Sequence, residues 1–303
     1  MPYDVVKVTT DVRACRGPKR DREDELARRR LGFWRRLTVV LVKPAMGVMS
    51  RRDWRGMDNI PATGPAILVA NHVSHADPFA LGHYVYDAGR WPHYLAKASV
   101  FRLPLVGRLL YAVEQIPVER GSIDAVKALD AAVAAVNRGQ AVLIYPEGTT
   151  SKEPDLWPMR GKTGAARLWL ATGAPMIPVV MWGPEKLFDP RTHKLRPVPR
   201  TPVTVIAGPP LDLSRWAGAA PTATNLHEIT EFVMLTLRDM LVEIRGGTAP
   251  PLWSRQPNRL DATTVPQTQQ PNPATGPQSS TQPESRTLPD STTGPDSTTQ
   301  PEV

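Results

Sequence analysis

Residues Ala66 to Pro78, AILVANHVSHADP, decide how the rest of the chain is read. The apolar run Ala66-Ile67-Leu68-Val69-Ala70 has the length and composition of a buried strand, and a short buried helix segment gives the same pattern. It stops abruptly at a polar cluster of Asn71, His72, Ser74, His75 and Asp77. Asp77-Pro78 predicts a helix start, with Asp as N-cap and Pro at the first helical position. The imidazole of His72 is therefore expected at the C-terminal end of a strand, beside a helix N-terminus. In open α/β sheets that edge is where ligands bind.

Four residues separate His72 from Asp77. Positions i and i+5 do not share a face of a continuous helix, so the two side chains can meet only across a turn. A carboxylate that reaches one ring nitrogen selects the tautomer and leaves the other nitrogen free as a base. The same spacing is also met by an Asp that only caps a helix and a His that only lines a loop. The spacing alone leaves both readings open.

The whole chain limits the function classes. It has 303 residues, 41% hydrophobic and 22% charged, in keeping with a globular fold. Cys15 is the only cysteine, which excludes an intrachain disulfide. No cluster of Cys and His has metal-ligand spacing, no uninterrupted run of about 18 apolar residues offers a spanning helix, and the first residues lack a signal-peptide pattern. The formal charge is +8 and the pI about 9.8, which suits an anionic partner: a membrane surface, a phosphorylated substrate or a nucleic acid. The stretch from Ser254 onward holds three arginines against five acidic residues, so its net charge is −2 and the remainder carries +10.

The sequence divides into four parts. Residues 1–22 read as a flexible arm. Residues 23–52 form a helical segment in which Arg28, Arg29, Arg30, Arg35 and Arg36 surround Leu31, Phe33, Trp34 and Leu37. That is the pattern of an interfacial helix too short to span a bilayer, and equally of a terminal helix packed on its domain. Residues 53–250 alternate short apolar runs with helical patterns, which predicts a single α/β domain with a mixed central sheet flanked by helices. Residues 254–303 are rich in Pro, Gln, Ser and Thr and predict disorder.

Within the domain, Trp54 to Pro65 reads as a turn-rich lead-in. His93 to Ala98 is a predicted strand carrying Lys97. Ile116 to Val118 is another, delivering Glu119, Arg120 and Gly121, with Ser122 as the cap of the next helix. Ala141 to Tyr145 delivers Glu147. Met176 to Met181 is a strand containing Pro178, which predicts an edge position or a bulge. Asn225 to Arg245 is a long amphipathic helix. If the strand ends converge, Lys97, Arg120 and Lys162 make an anion pocket beside His72.

Four segments in order carry a resemblance: Asn71-His72-Val73-Ser74-His75-Ala76-Asp77, Ile116-Pro117-Val118-Glu119-Arg120, Tyr145-Pro146-Glu147-Gly148-Thr149 and Met176-Ile177-Pro178-Val179. Together with Leu95-Ala96-Lys97 and Leu103-Pro104-Leu105-Val106-Gly107, they resemble the glycerolipid acyltransferase family, and specifically its bacterial 1-acyl-sn-glycerol-3-phosphate acyltransferases, over roughly Pro44 to Pro210. The resemblance implies a glycerol-3-phosphate acyltransferase-like fold. It implies His72 as general base and Asp77 as its orienting partner. It implies Lys97, Arg120, Glu147, Gly148 and Thr149 as contacts to the phosphorylated acceptor. Thr150 stands where the family commonly has Arg, and Lys152, Arg160 or Lys162 can take its place.

The implied reaction moves a fatty acyl group from acyl-CoA or acyl-carrier protein, as co-substrate, to the free hydroxyl of a lysophospholipid. It needs no cofactor and no metal. Backbone N–H groups of the His72 to Asp77 turn are expected to receive the tetrahedral oxyanion. The partners are then lysolipid, acyl donor and an anionic membrane surface rather than nucleic acid, and the expected place is the cytoplasmic face of the cell membrane, peripheral or monotopic. Two other readings stay open: the same chemistry on glycerol 3-phosphate or another lysolipid, and a non-catalytic binder of anionic membranes.

Overall fold

Ala66–Ala70 is a strand, β2, buried along its whole length because both faces of the sheet around it are covered. Ile67 and Val69 enter one apolar cluster, while Ala66, Leu68 and Ala70 enter the other. Strand side chains alternate sides with period two, so a strand inside a three-layer sandwich must be apolar at every position.

The computed structural model describes residues 32–118, 124–196 and 200–254. The expected arm 1–22 with Cys15, residues 23–31 of the basic segment, Glu119 to Gly121, the expected cap Ser122 and residues 255–303 lie outside the described residues. By internal contacts the chain divides into Met1–Pro257 and Asn258–Val303, and the second unit lies wholly outside them.

The chain enters through helix α1 (Phe33–Met49) and passes directly into strand β1 (Ser50–Arg55). After β2 come α2 (Asp77–Asp87), β3 (Pro92–Lys97), the short α3 (Ala98–Phe101), α4 (Val106–Ala112), β4 (Ile116–Val118), α5 (Asp124–Asn137), β5 (Ala141–Ile144), α6 (Gly164–Thr172), β6 (Met176–Trp182), the short α7 (Pro184–Leu187), β7 (Thr201–Ala207) and α8 (Ala223–Arg245). The seven strands form one sheet in the order β1-β7-β6-β2-β5-β3-β4. Every neighbouring pair is parallel except β6 and β7, so the sheet is mixed. One face packs α5, α6 and α8, including buried Ala132, Leu168 and Leu237; the other packs α2 and the end of α1, including Leu81, Tyr84 and Met46.

Three expectations are corrected. The lead-in is not only turns: Ser50–Arg55 is an edge strand, paired in parallel with β7 from Ser50–Thr201 to Arg55–Ile206. It begins inside the segment assigned to the N-terminal helix. Its residues, SRRDWR, are polar because only one edge of the strand is paired and much of it meets solvent. Its pairing partner lies some 150 residues away, beyond the reach of a local pattern.

Pro178 lies neither on an edge nor in a bulge. It pairs with Val69 in the interior of the sheet. Its backbone polar atoms face β7, and the β7 ladder starts only at Val179–Ala207. The Pro178 carbonyl still accepts from the Gly208 N–H at 2.9 Å, so the proline forgoes one bond at the very end of the β6–β7 ladder.

Finally, Asp77 does not cap its own helix. Ala76 holds the cap position, and the Asp77 carboxylate turns back onto the preceding loop.

Candidate active site

The parallel strands β2, β5, β3 and β4 end on the same edge of the sheet, and β2 and β5 are neighbours. The loops after β2 and β5 therefore meet. Buried Asn71 closes the end of β2 by a reciprocal pair with Met181 on β6: its side-chain amide donates to the Met181 carbonyl at 3.0 Å and accepts the Met181 N–H at 2.8 Å. The next residue, His72, is thereby launched from a fixed point.

His72 Nδ1 lies 2.8 Å from Asp77 Oδ2. The same oxygen accepts the N–H of Val73 at 2.6 Å and of Ser74 at 2.9 Å. With Asp77 Oδ2 as the acceptor of Nδ1–H as well, the ring's Nε2 is the nitrogen directed away from the carboxylate. Asp77 is fully buried, and His72 keeps 14% of its side chain exposed. The Tyr145 ring stacks on the imidazole with centroids 4.3 Å apart and planes 18° apart, which fixes the remaining rotation.

Glu147, expected as a contact to the phosphorylated acceptor, meets backbone N–H groups in this structure. Its side chain is buried, with Oε1 accepting the His72 N–H at 3.0 Å and Oε2 accepting the Met159 N–H at 3.2 Å. Both oxygens are thus spent on backbone. Burial pushes its carboxyl up to about 8, against the pull of these two N–H donors. The Ser151 N–H donates to the His72 carbonyl at 2.7 Å, so the two loops are stitched at two points.

Five of the six backbone N–H groups of the turn, the expected oxyanion donors, are already engaged. The N–H of His72 goes to Glu147, those of Val73 and Ser74 to Asp77, that of Ala76 to Ser74 Oγ, and that of Asp77 to the Ser74 carbonyl. These bonds hold the turn together and leave the His75 N–H as its one candidate oxyanion donor.

A cavity of about 700 Å³ opens on His72. Lys97, at the end of β3, lines it, as do Gly148 and Lys162, whereas Thr149 and Thr150 do not. Arg120 lies outside the described residues. The rest of the wall is largely apolar and comes from three directions: Val39 and Val42 of α1, Phe79 of α2, and Leu109 of α4. Helix α1 thus does two jobs. One side closes the cavity and is tied down by Lys43–Asp87 at 2.7 Å and Arg35–Glu114 at 2.8 Å. The other leaves Phe33, Trp34, Val40, Leu41 and Val48 exposed. Among the described residues no helix is long and apolar enough to cross a membrane.

Several neighbours of the site carried no sequence signal. Tyr145 lies in the segment Tyr145 to Thr149, where no pattern marks its ring as a stacking partner of His72. Phe188 receives the Ser74 hydroxyl on its carbonyl at 2.6 Å, and the His193 ring stacks on His75 at 5.5 Å. Both belong to the loop after β6, more than 100 residues downstream, so only the fold joins them to the turn.

The family model described as Acyltransferase matches residues 51–182, from β1 to the end of β6. That span is similar to the Acyltransferase family.

The chain is 30% identical over 134 residues to a 1-acyl-sn-glycerol-3-phosphate acyltransferase of Borreliella burgdorferi, covering 44% of this chain and 52% of the relative. It is 26% identical over 190 residues to the enzyme of the same name from Bacillus subtilis, covering 60% of this chain and 84% of the relative. A chloroplastic 1-acyl-sn-glycerol-3-phosphate acyltransferase of Brassica napus is 29% identical over 140 residues, with 46% of this chain and 39% of the relative covered. The match thus spans about half of the Borreliella relative's length and less of the Brassica one's.

Among solved structures, the 1-acyl-sn-glycerophosphate acyltransferase PlsC of Thermotoga maritima superposes with a TM-score of 0.52 at 18% identity, over 77% of this chain and 91% of that one. It shares the fold. The span matched by the family model holds the His72 turn, the Glu147 loop, Lys97 and Lys162.

Proposed function

We propose that this protein is an O-acyltransferase that moves a fatty acyl chain from a thioester, acyl-CoA or acyl-carrier protein, to the free hydroxyl of 1-acyl-sn-glycerol 3-phosphate, giving phosphatidic acid. One observation carries the reading: a histidine held through Nδ1 by a buried aspartate at 2.8 Å, on the wall of an apolar cavity that also presents lysines. The names of the relatives point to the same acceptor.

The step follows from the tautomer. Nε2 of His72 takes the proton of the acceptor hydroxyl as its oxygen attacks the thioester carbonyl. A C–O bond forms, the C–S bond breaks, and the imidazolium returns its proton to the departing thiolate. Asp77, fixed by two backbone N–H groups, stabilises the imidazolium between those events. Base catalysis of this kind contributes about 10²–10⁴-fold. Glu147 acts through His72, by holding its backbone.

The acyl chain lies along the apolar wall, and α1 brings the cavity to the lipid. Its exposed Phe33, Trp34, Val40, Leu41 and Val48 seat on the cytoplasmic face of the membrane, a peripheral or monotopic placement.

The experiment is acyl transfer by wild type and His72→Ala across a panel of lysophosphatidate, glycerol 3-phosphate and other lysolipids. We expect lysophosphatidate to be preferred and His72→Ala, folded and membrane-bound, to lose about 10²–10⁴-fold in rate. Near wild-type transfer by His72→Ala overturns the mechanism. A clear preference for another acceptor replaces the substrate while keeping the chemistry.

A further inference from the structure

Three lysines line the cavity: Lys43, Lys97 and Lys162. Lys43 is neutralised by Asp87 at 2.7 Å and lies over the Tyr86 ring. Among the described residues, no carboxylate stands within ion-pair distance of Lys97 or Lys162. Thr150, Lys152 and Arg160 are absent from the lining altogether. The cavity therefore offers two cations without an ion-pair partner among the described residues, facing a largely apolar wall.

Lys162 is placed there by two features. Its backbone N–H donates to the Pro146 carbonyl at 2.8 Å, which ties the loop entering α6 to the loop after β5. Its side chain then lies across Gly148. A Cβ at Gly148 would meet Lys162 Cε at 3.1 Å, and Cδ and Nζ at 3.2 Å. Gly148 also has φ +70°, in the left-handed region that favours glycine. The residue after the His72 brace is thus shaped as a notch that seats the Lys162 stem.

We infer that Lys162, seated in the Gly148 notch, supplies together with Lys97 the cationic grip on the acceptor's phosphate, a role that Thr150 cannot fill in this chain. The inference rests on the acceptor reading above. A phosphate monoester carries close to two negative charges at neutral pH. Two ammonium groups match that charge, and each brings three rotatable donors.

The test compares wild type, Lys162→Met, Lys162→Arg and Lys152→Met on 1-acyl-sn-glycerol 3-phosphate and on the same monoacylglycerol without phosphate. Equilibrium binding of both lipids is measured in the His72→Ala background, which removes turnover. Lys162→Met should raise the KM and Kd for the phosphorylated lipid by about ten- to a hundredfold, the range of a charged hydrogen bond, and leave the phosphate-free lipid unchanged. Lys162→Arg should keep most of the affinity, and Lys152→Met all of it. An unchanged preference for the phosphorylated lipid in Lys162→Met, or an equal loss for both lipids, overturns the inference. If wild type acylates neither lipid, the acceptor reading falls, and the binding arm still decides whether Lys162 recognises phosphate.

Discussion

Glu147→Gln separates the two things that the Glu147 carboxyl does. Its oxygens accept one N–H each, from His72 at 3.0 Å and from Met159 at 3.2 Å. A carboxamide keeps one acceptor and places an NH₂ against the other N–H. A buried donor left unsatisfied costs about 1–3 kcal/mol. The amide should orient to keep the shorter bond, so Met159 loses its partner and His72 stays held.

Against this, the substitution removes a group whose burial raises its carboxyl from 4.5 to about 8. Between those values the folded chain holds a proton that the unfolded chain has released. Wild-type stability therefore falls as pH rises through the window. At about 1.36 kcal/mol per unit, the fall between pH 5 and pH 8 is on the order of 3 kcal/mol.

The two effects cross. Glu147→Gln should be less stable than wild type at pH 5 by about 1–3 kcal/mol, and equal or more stable at pH 8. Urea denaturation of both proteins at the two pH values reads the difference, in which all other titrations cancel. A gap between the variants that does not change with pH would refute the assignment of Glu147 as a buried, proton-holding brace.

Two further outcomes follow. Asp77→Asn keeps the shape of the turn but removes the charge facing the imidazole. Its oxygen still accepts from Nδ1, Val73 and Ser74, so the protein should fold with a loss of about 1–3 kcal/mol while transfer drops by about 10²–10⁴-fold; wild-type transfer would remove Asp77 as the orienting partner. The double change Phe33→Ser with Trp34→Ser alters side chains that are 70% and 49% exposed, so stability should hold within about 0.5 kcal/mol. Sedimentation with anionic vesicles should show binding reduced by about tenfold or more, and unchanged binding would move membrane contact away from α1.

The sequence made legible what depends on short-range pattern. A five-residue apolar run bounded by polar residues is a buried strand, and the His-x4-Asp spacing demands a turn. Lys97 and Glu147 each follow a strand, so their places at one sheet edge were also within reach. The roles within the edge were not. Glu147 reads as a free carboxylate until Met159 and the His72 backbone are seen to close on it. Asp77-Pro78 carries the pattern of a cap, yet the carboxylate finds three donors behind it that outweigh its own helix.

What the sequence determined by itself, then, was the mixed α/β class, the order of its elements and the residue types able to do base chemistry, because these follow from periodicity, turn chemistry and local spacing. What only the tertiary structure decided was pairing at a distance: β1 on β7, Pro178 beside Val69 inside the sheet, and the Glu147 carboxyl against the His72 N–H. Those outcomes depend on which backbone donors and acceptors meet across strands 75 to 150 residues apart, and no local pattern holds that information.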